Sequence, residues 1–107
     1  MKKEIRVMGI DDAPHKFKGK GNVLVLGSIF RGGSFLDGIV STKISIDGNN
    51  STSKLIEMIN NCKFKSQLQC IFLDGIALGG FNVIDIKELS KKTKIPVIVI
   101  IRKKPNL

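Results

Sequence analysis

Two apolar runs in this chain stop at aspartate. Ile5-Arg6-Val7-Met8-Gly9-Ile10 leads into Asp11-Asp12, and Cys70-Ile71-Phe72-Leu73 leads into Asp74-Gly75. Each reads as a strand ended by a carboxylate and a chain reversal. In α/β proteins functional groups gather at the carboxyl ends of strands, where loops leave the sheet. As parallel neighbours, the two strands would end about 4.8 Å apart. Carboxylates that close repel unless a cation or a shared proton relieves them. Hard oxygen ligands suit Mg²⁺ or Mn²⁺, and such ions activate water and clamp the oxygens of an in-line phosphate displacement. Asp11 and Asp74 are therefore the candidate catalytic and metal-binding pair, with Asp12 or Asp47 assisting. Asp47-Gly48 falls at a strand-to-helix junction, where a simple turn has the same sequence.

The charge balance points to the substrate such a site would serve. Eighteen Lys and Arg against nine Asp and Glu give a net charge of +9. The bases cluster: Lys2, Lys3, Arg6, Lys16, Lys18 and Lys20 fall early, and Lys87, Lys91, Lys92, Lys94, Arg102, Lys103 and Lys104 fall late. Such clusters attract polyanions through release of counterions from a phosphate backbone. Lys16, Lys18, Lys20 and Arg31 are the bases assigned to phosphate contact, and nucleic acid is the expected partner. The stretch from Gly75 to Asn82 holds Gly79 and Gly80 ahead of a helix start, where backbone amides can receive an anion. It is neither a G-x-G-x-x-G nor a Walker pattern, and tight strand-to-helix packing explains its glycines equally. The chain has six Phe but no Trp and no Tyr, which leaves little for bases to stack on. His15 stands alone in a basic loop, and no Ser or Cys has a base partner that would make it a nucleophile.

The elements that must position these groups follow from periodicity. Residues 4–11 make a first strand, 12–21 a loop broken by Pro14 and glycines, and Asn22–Arg31 a second strand. Gly32-Gly33 closes a tight hairpin into a third strand, Ser34–Ile46. In it Leu36, Val40, Thr42, Ile44 and Ile46 alternate with Asp37, Ser41, Lys43 and Ser45. Leu55, Ile56, Met58, Ile59 and Cys62 follow a helical stripe behind an Asn50 or Ser51 cap. A fourth strand ends at Asp74. A second helix starts at Asn82, with Asp85 completing a capping box. The β-branched run from Ile95 to Ile101 reads as a strand buried on both faces. A hairpin followed by two helical crossovers gives a mixed five-stranded sheet of order 3-2-1-4-5 with two helices, the ribonuclease H-like arrangement. A flavodoxin-like fold would need a helix after the first strand, and residues 12–21 make a poor one.

At 107 residues the chain is expected to form a single domain over 1–107 with a packed core. No apolar run approaches the roughly 20 residues that span a bilayer, and no secretory signal is seen. Cys62 and Cys70 match no metal or redox spacing, so free thiols and a cytoplasmic, reducing compartment are expected.

Residues 5–14 (I-R-V-M-G-I-D-D-A-P), 30–32 (F-R-G), 36–38 (L-D-G), 46–48 (I-D-G) with Thr52, 73–85 (L-D-G-I-A-L-G-G-F-N-V-I-D) and 95–105 (I-P-V-I-V-I-I-R-K-K-P) together resemble domain-of-unknown-function family 99. That family is mainly archaeal and is a distant relative of endonuclease V. The resemblance covers essentially the whole chain and implies a ribonuclease H-like fold. It matches Asp11 and Asp74 to the metal-binding aspartates that endonuclease V carries on its first and fourth strands. Departures accompany it. The Pro-Tyr wedge of endonuclease V and the glutamate that follows it have no counterpart here, and Asn50 stands at the second aspartate of the family's D-G-x-D pattern. The family's chains also continue beyond the residue that matches Leu107. Two functions remain open: metal-dependent phosphodiester cleavage, and a non-catalytic module binding nucleic acid or protein whose aspartates only end strands. Apolar surface left uncovered would favour a homodimer.

Overall fold

The computed structural model describes residues 5–12, 21–32, 35–46, 48–78 and 82–100. In chain order the elements are β1 (Arg6–Asp12), β2 (Asn22–Arg31), β3 (Phe35–Ser45), α1 (Ser51–Asn60), β4 (Leu68–Asp74), β5 (Ala77–Leu78), β6 (Asn82–Val83), α2 (Ile86–Thr93) and β7 (Val97–Ile100). A 3₁₀ turn over Lys65–Gln67 precedes β4. The main sheet has the order β3-β2-β1-β4-β7, and β5 pairs with β6 in a separate small hairpin. This is the arrangement expected from periodicity, its last strand now numbered seventh because of the hairpin. β1 and β2 are antiparallel, as are β2 and β3, while β1–β4 and β4–β7 are parallel.

One face of the sheet carries the core. Met8 and Ile10 of β1, Val23, Val25 and Ile29 of β2, Ile44 of β3 and Ile71 and Leu73 of β4 alternate onto it, all buried. Leu55, Met58 and Ile59 of α1 and Leu89 of α2 meet them from the helix side. Burying each such side chain stabilises the fold by about 1.5–3 kcal/mol. Gly27 lies among them because there is no room for more: a Cβ there would sit 2.9 Å from Met8 Sδ, 3.0 Å from Met58 Cε and 3.1 Å from Val40 Cγ2.

Three expectations need correction. Asp37 is an extra residue of β3, a bulge opposite the Ile29–Phe30 step of β2 that shifts the alternation of β3 by one residue. Leu36 therefore leaves the core face and is 48% exposed. Asp37 turns inward instead and accepts from Arg6 Nε at 2.7 Å, with Arg31 Nε at 3.4 Å. The second helix does not start at Asn82. Asp85 itself is its cap, accepting from Glu88 N–H at 3.0 Å, and Asn82 is buried in β6. Finally, β7 is not covered on both faces. Val97 and Val99 pack on the core, whereas Ile98 and Ile100 are 46% and 49% exposed.

Gly27→Val should destabilise the fold by about 1–3 kcal/mol through overpacking, read as a lowered urea midpoint at unchanged m-value. An unchanged midpoint would contradict this account of the core.

Candidate carboxylate site at the strand ends

Parallel pairing of β1 with β4 places Ile10 opposite Leu73 and Gly9 opposite Phe72. One step further along both strands come Asp11 and Asp74. Met8, Ile10, Ile71 and Leu73 face the core, so alternation puts both aspartates on the opposite face of the sheet, where both are exposed. Asp12 alternates to the helix side and is half-buried. Its backbone N–H donates to Asp11 Oδ1 at 2.9 Å, which fixes that carboxylate at the strand end.

The Asp11 carboxyl titrates above its ordinary value of 3.8. Partial desolvation is the main cause, opposed by the N–H of Asp12 and reinforced by the negative charges of Asp12 and Asp74. The two strand ends are thus electrostatically coupled through like charges. Among the described residues no group of three or more His, Cys, Asp or Glu is arranged to hold a metal ion. Asp11 and Asp74 are a pair of hard donors. That is enough for a cation such as Mg²⁺, which binds through one or two carboxylates and keeps water or phosphate in its other positions.

At the same end of the sheet lies a buried amide hub. Asn82 Oδ1 accepts from Ser51 N–H at 2.9 Å, so it caps α1 from a distant segment. Its Nδ2 donates to Ser45 O at 2.8 Å and to Asn50 Oδ1 at 2.9 Å. Asn50 Oδ1 also accepts from Ser45 N–H at 3.0 Å. Ser51 Oγ donates to Val83 O at 3.0 Å, and Thr52 Oγ1 accepts from Asp85 N–H at 2.8 Å. The end of β3, the start of α1, the β5–β6 hairpin and the start of α2 are therefore held by one network. Sequence reasoning missed it: Asn50 occupies the cap position of α1 without capping it, and Asn82 looks like an ordinary helix start. The one sequence signal was a cluster of Asn and Ser at two helix starts.

The remaining candidate residues divide. Asp47, Lys16, Lys18, Lys20, Gly79 and Gly80 lie outside the described residues. Arg31 pairs across the ladder with Arg6, at the end of β1 opposite Asp11, roughly 16 Å away at about 3.3 Å per strand residue. There it joins the Asp37 ion-pair cluster and lies 4.5 Å from the Phe35 ring centre, so the fold does not bring it to the carboxylates. A cleft of about 490 Å³ also lies at that far end, lined by Cys62, Lys63, Lys65, Ser66, Leu68, Thr93, Lys94 and Ile95.

Residues 3–107 match the family model described as Endonuclease dU. A UPF0215 protein of Methanothermobacter thermautotrophicus is 49% identical over 107 residues, covering 100% of this chain and 52% of the relative. The chain spans about half the length of the curated relatives it matches. A crystal structure of a protein of unknown function from Archaeoglobus fulgidus superposes with a TM-score of 0.84 at 44% identity, over 95% of this chain and 56% of that one. Endonuclease V from Bacillus subtilis shares the fold, with a TM-score of 0.64 at 13% identity over 94% of this chain and 46% of that chain. Endonuclease V from Ciona intestinalis, solved with a 24mer DNA containing an inosine followed by a ribo-adenosine, gives 0.61 at 14% identity over 98% and 48%.

Two outcomes follow from this geometry. Because the folded chain holds the Asp11 proton more tightly than the unfolded chain, ionising Asp11 costs stability as pH rises through its folded value, and the cost is absent below 3.8. Asp11→Asn should therefore raise the Tm at neutral pH, with the gain vanishing below 3.8; a gain that persists in acid would contradict the coupling. Asn82→Ala should cost about 1–3 kcal/mol in chemical denaturation, because it strands the buried Ser51 N–H and removes the amide donor to Ser45 O and Asn50 Oδ1. A cost below half a kcal/mol, on the order of a surface change, would remove the hub from the account.

Proposed function

This chain belongs to the Endonuclease dU family, and on that footing we propose that Asp11 and Asp74 bind a divalent cation on a face that engages nucleic acid, for cleavage of a phosphodiester bond. The observation that carries the reading is the parallel register that sets the two carboxylates side by side on one face. The +9 net charge favours a polyanionic partner, and the Ciona endonuclease V of the same fold was solved with DNA. No helix among the described residues is long and apolar enough to cross a membrane, and Cys62 and Cys70 are free, in keeping with a reducing, cytoplasmic compartment.

In this reading Asp11, steadied by the Asp12 N–H, and Asp74 hold Mg²⁺ or Mn²⁺ between adjacent strand ends. When bound, the ion supplies Lewis-acid stabilisation of phosphate charge and a more acidic water. The carboxylates orient it at the exposed rim of the sheet, where a backbone phosphate can reach it. The amide hub keeps the neighbouring strand and helix ends from shifting. A second reading, metal-independent binding, is favoured by the absence of a three-acid group among the described residues.

Cation binding is measured by calorimetry on the wild type and Asp74→Asn, and nicking on DNA strands carrying one deoxyuridine, one deoxyinosine or neither. Asp74→Asn should weaken Mn²⁺ binding by more than the roughly 10- to 100-fold that loss of an outer-shell partner costs. It should also reduce nicking of the deoxyuridine strand to background while leaving the thermal transition intact. Salt-sensitive DNA binding that ignores magnesium, with no nicking, would establish the second reading instead.

A further inference from the structure

We infer that the cleft at the far end of the sheet binds a small phosphorylated molecule with an apolar body, the chemistry of a nucleotide. The cleft measures about 490 Å³, within the range of small-molecule sites. Cys62, Leu68 and Ile95 give it a buried apolar floor. Lys63, Lys65 and Lys94 stand around that floor, with no Asp or Glu in the lining. None of the three takes part in an ion pair among the described residues. Lys63 and Lys94 are exposed and Lys65 is half-buried. Lysines so placed lay an apolar stem along a wall and keep the ammonium in water.

The sign of the local field follows from a short sum. Both helices end beside the cleft, α1 at Asn60 and α2 at Thr93. A helix carboxyl end carries a partial charge of about −0.5, so the two together offset about one of three ammonium charges. Lys91 and Lys92, in the last turn of α2, already complement its dipole. The field in the cleft is therefore positive and favours a ligand with more than one negative charge. A merely solvated lysine surface would have the charge without the floor. An apolar floor ringed by cations matches a ligand that carries an apolar part and clustered negative charge together.

The walls are set before a ligand arrives. Lys94 has φ 63° and ψ 29°, the left-handed region, and among the described residues no other non-glycine has a positive φ. Glycine is the usual residue after a helix in that conformation, because a side chain adds strain. Hydrogen bonds on either side hold the strained turn. Lys94 N–H donates to Ser90 O at 2.8 Å, Ile95 N–H to Thr93 Oγ1 at 3.3 Å, and Ser90 Oγ to Ile95 O at 3.0 Å. On the α1 side Lys65 N–H donates to Cys62 O at 3.1 Å, and Lys63 Nζ lies 5.1 Å from the Phe64 ring centre. Fixed walls lower the ordering cost of binding. Leu68 opens β4 and Asp74 closes it, which puts the cleft roughly 20 Å from the carboxylates. Binding there needs no cation at Asp11 and Asp74.

The test is a titration of isotope-labelled protein, in chelator and without divalent metal, with adenosine diphosphate, inorganic pyrophosphate or a short single-stranded oligodeoxynucleotide. Adenosine diphosphate should give saturable amide shifts centred on residues 62–68 and 93–95, leaving the ends of β1 and β4 unmoved. Pyrophosphate, with nothing to place on the floor, should bind at least about tenfold more weakly. Lys94→Gly and Lys65→Gln should each weaken the nucleotide roughly tenfold, the loss of one charge-assisted hydrogen bond. Lys94→Gly relieves the strained backbone, so its thermal transition should match or exceed that of the wild type. Lys43→Gln removes the same charge from an exposed position on β3 and should change affinity by no more than about twofold, because salt screens distant charges. Pyrophosphate binding as tightly as the nucleotide, shifts in the cleft with the oligonucleotide alone, no shifts in the cleft, or equal weakening in Lys43→Gln would each overturn the proposal. Asp74→Asn should bind the nucleotide as the wild type does, so this result and the cation-binding reading stand or fall separately.

Discussion

The in-register parallel pairing of β1 with β4 is the constraint on which the rest of the molecule turns. With Ile10 beside Leu73, the core residues of both strands fall on the helix side together, and the next pair of residues, Asp11 and Asp74, must share the other side. A slip of one residue would bury one carboxylate in the core, a cost of several kcal/mol for an unpaired charge. The hydrophobic pattern that secures the core therefore also fixes the separation of the carboxylates. Their mutual repulsion is a local cost carried by the packing of Met8, Ile10, Ile71 and Leu73 beneath them.

The two ends of the sheet carry different charged groups. At the far end two arginines converge on one carboxylate, Asp37, with Arg6 lying 5.4 Å from the Phe64 ring centre. That charge is neutralised within the chain, which gives the end a structural character. At the near end Asp11, Asp12 and Asp74 bring three carboxylates together, and the Asp11 carboxyl is pushed up first by desolvation and further by the charges of Asp12 and Asp74. Carboxylates gathered at adjacent strand ends offer the hard oxygen donors that a divalent cation takes. The Asn50–Asn82 hub ties the end of β3 to the start of α1 through neutral amides.

Strand order and the Asp11–Asp74 juxtaposition were legible because period-two alternation and the two-glycine hairpin leave few topologies. The endonuclease V-like fold is the same order. The bulge opposite Asp37 was not legible, because its signal is an ion pair with Arg6, a residue 31 positions away. Asn82 was misread for a related reason: its side-chain partners Ser45, Asn50 and Ser51 lie more than 30 positions earlier in the chain, and local capping rules see only the residues that follow it. The exposure of Ile98 and Ile100 could not be foreseen either. A β-branched run signals a strand suited to burial, and it does not say on how many faces the fold supplies neighbours. Arg31 shows a limit of composition: its charge counts toward a basic chain, yet the ladder carries it away from the acids and into contact with Asp37.

The central claim is that register alone builds a cation site from Asp11 and Asp74. The most direct measurement is a titration of Mn²⁺ into isotope-labelled protein, following paramagnetic broadening of the backbone amides. The account predicts broadening that spreads from the ends of β1 and β4, strongest at residues 11, 12, 74 and 75, while the lysine-lined cleft at the other end stays sharp. Broadening that is diffuse over the surface, or centred away from those two strand ends, would contradict it.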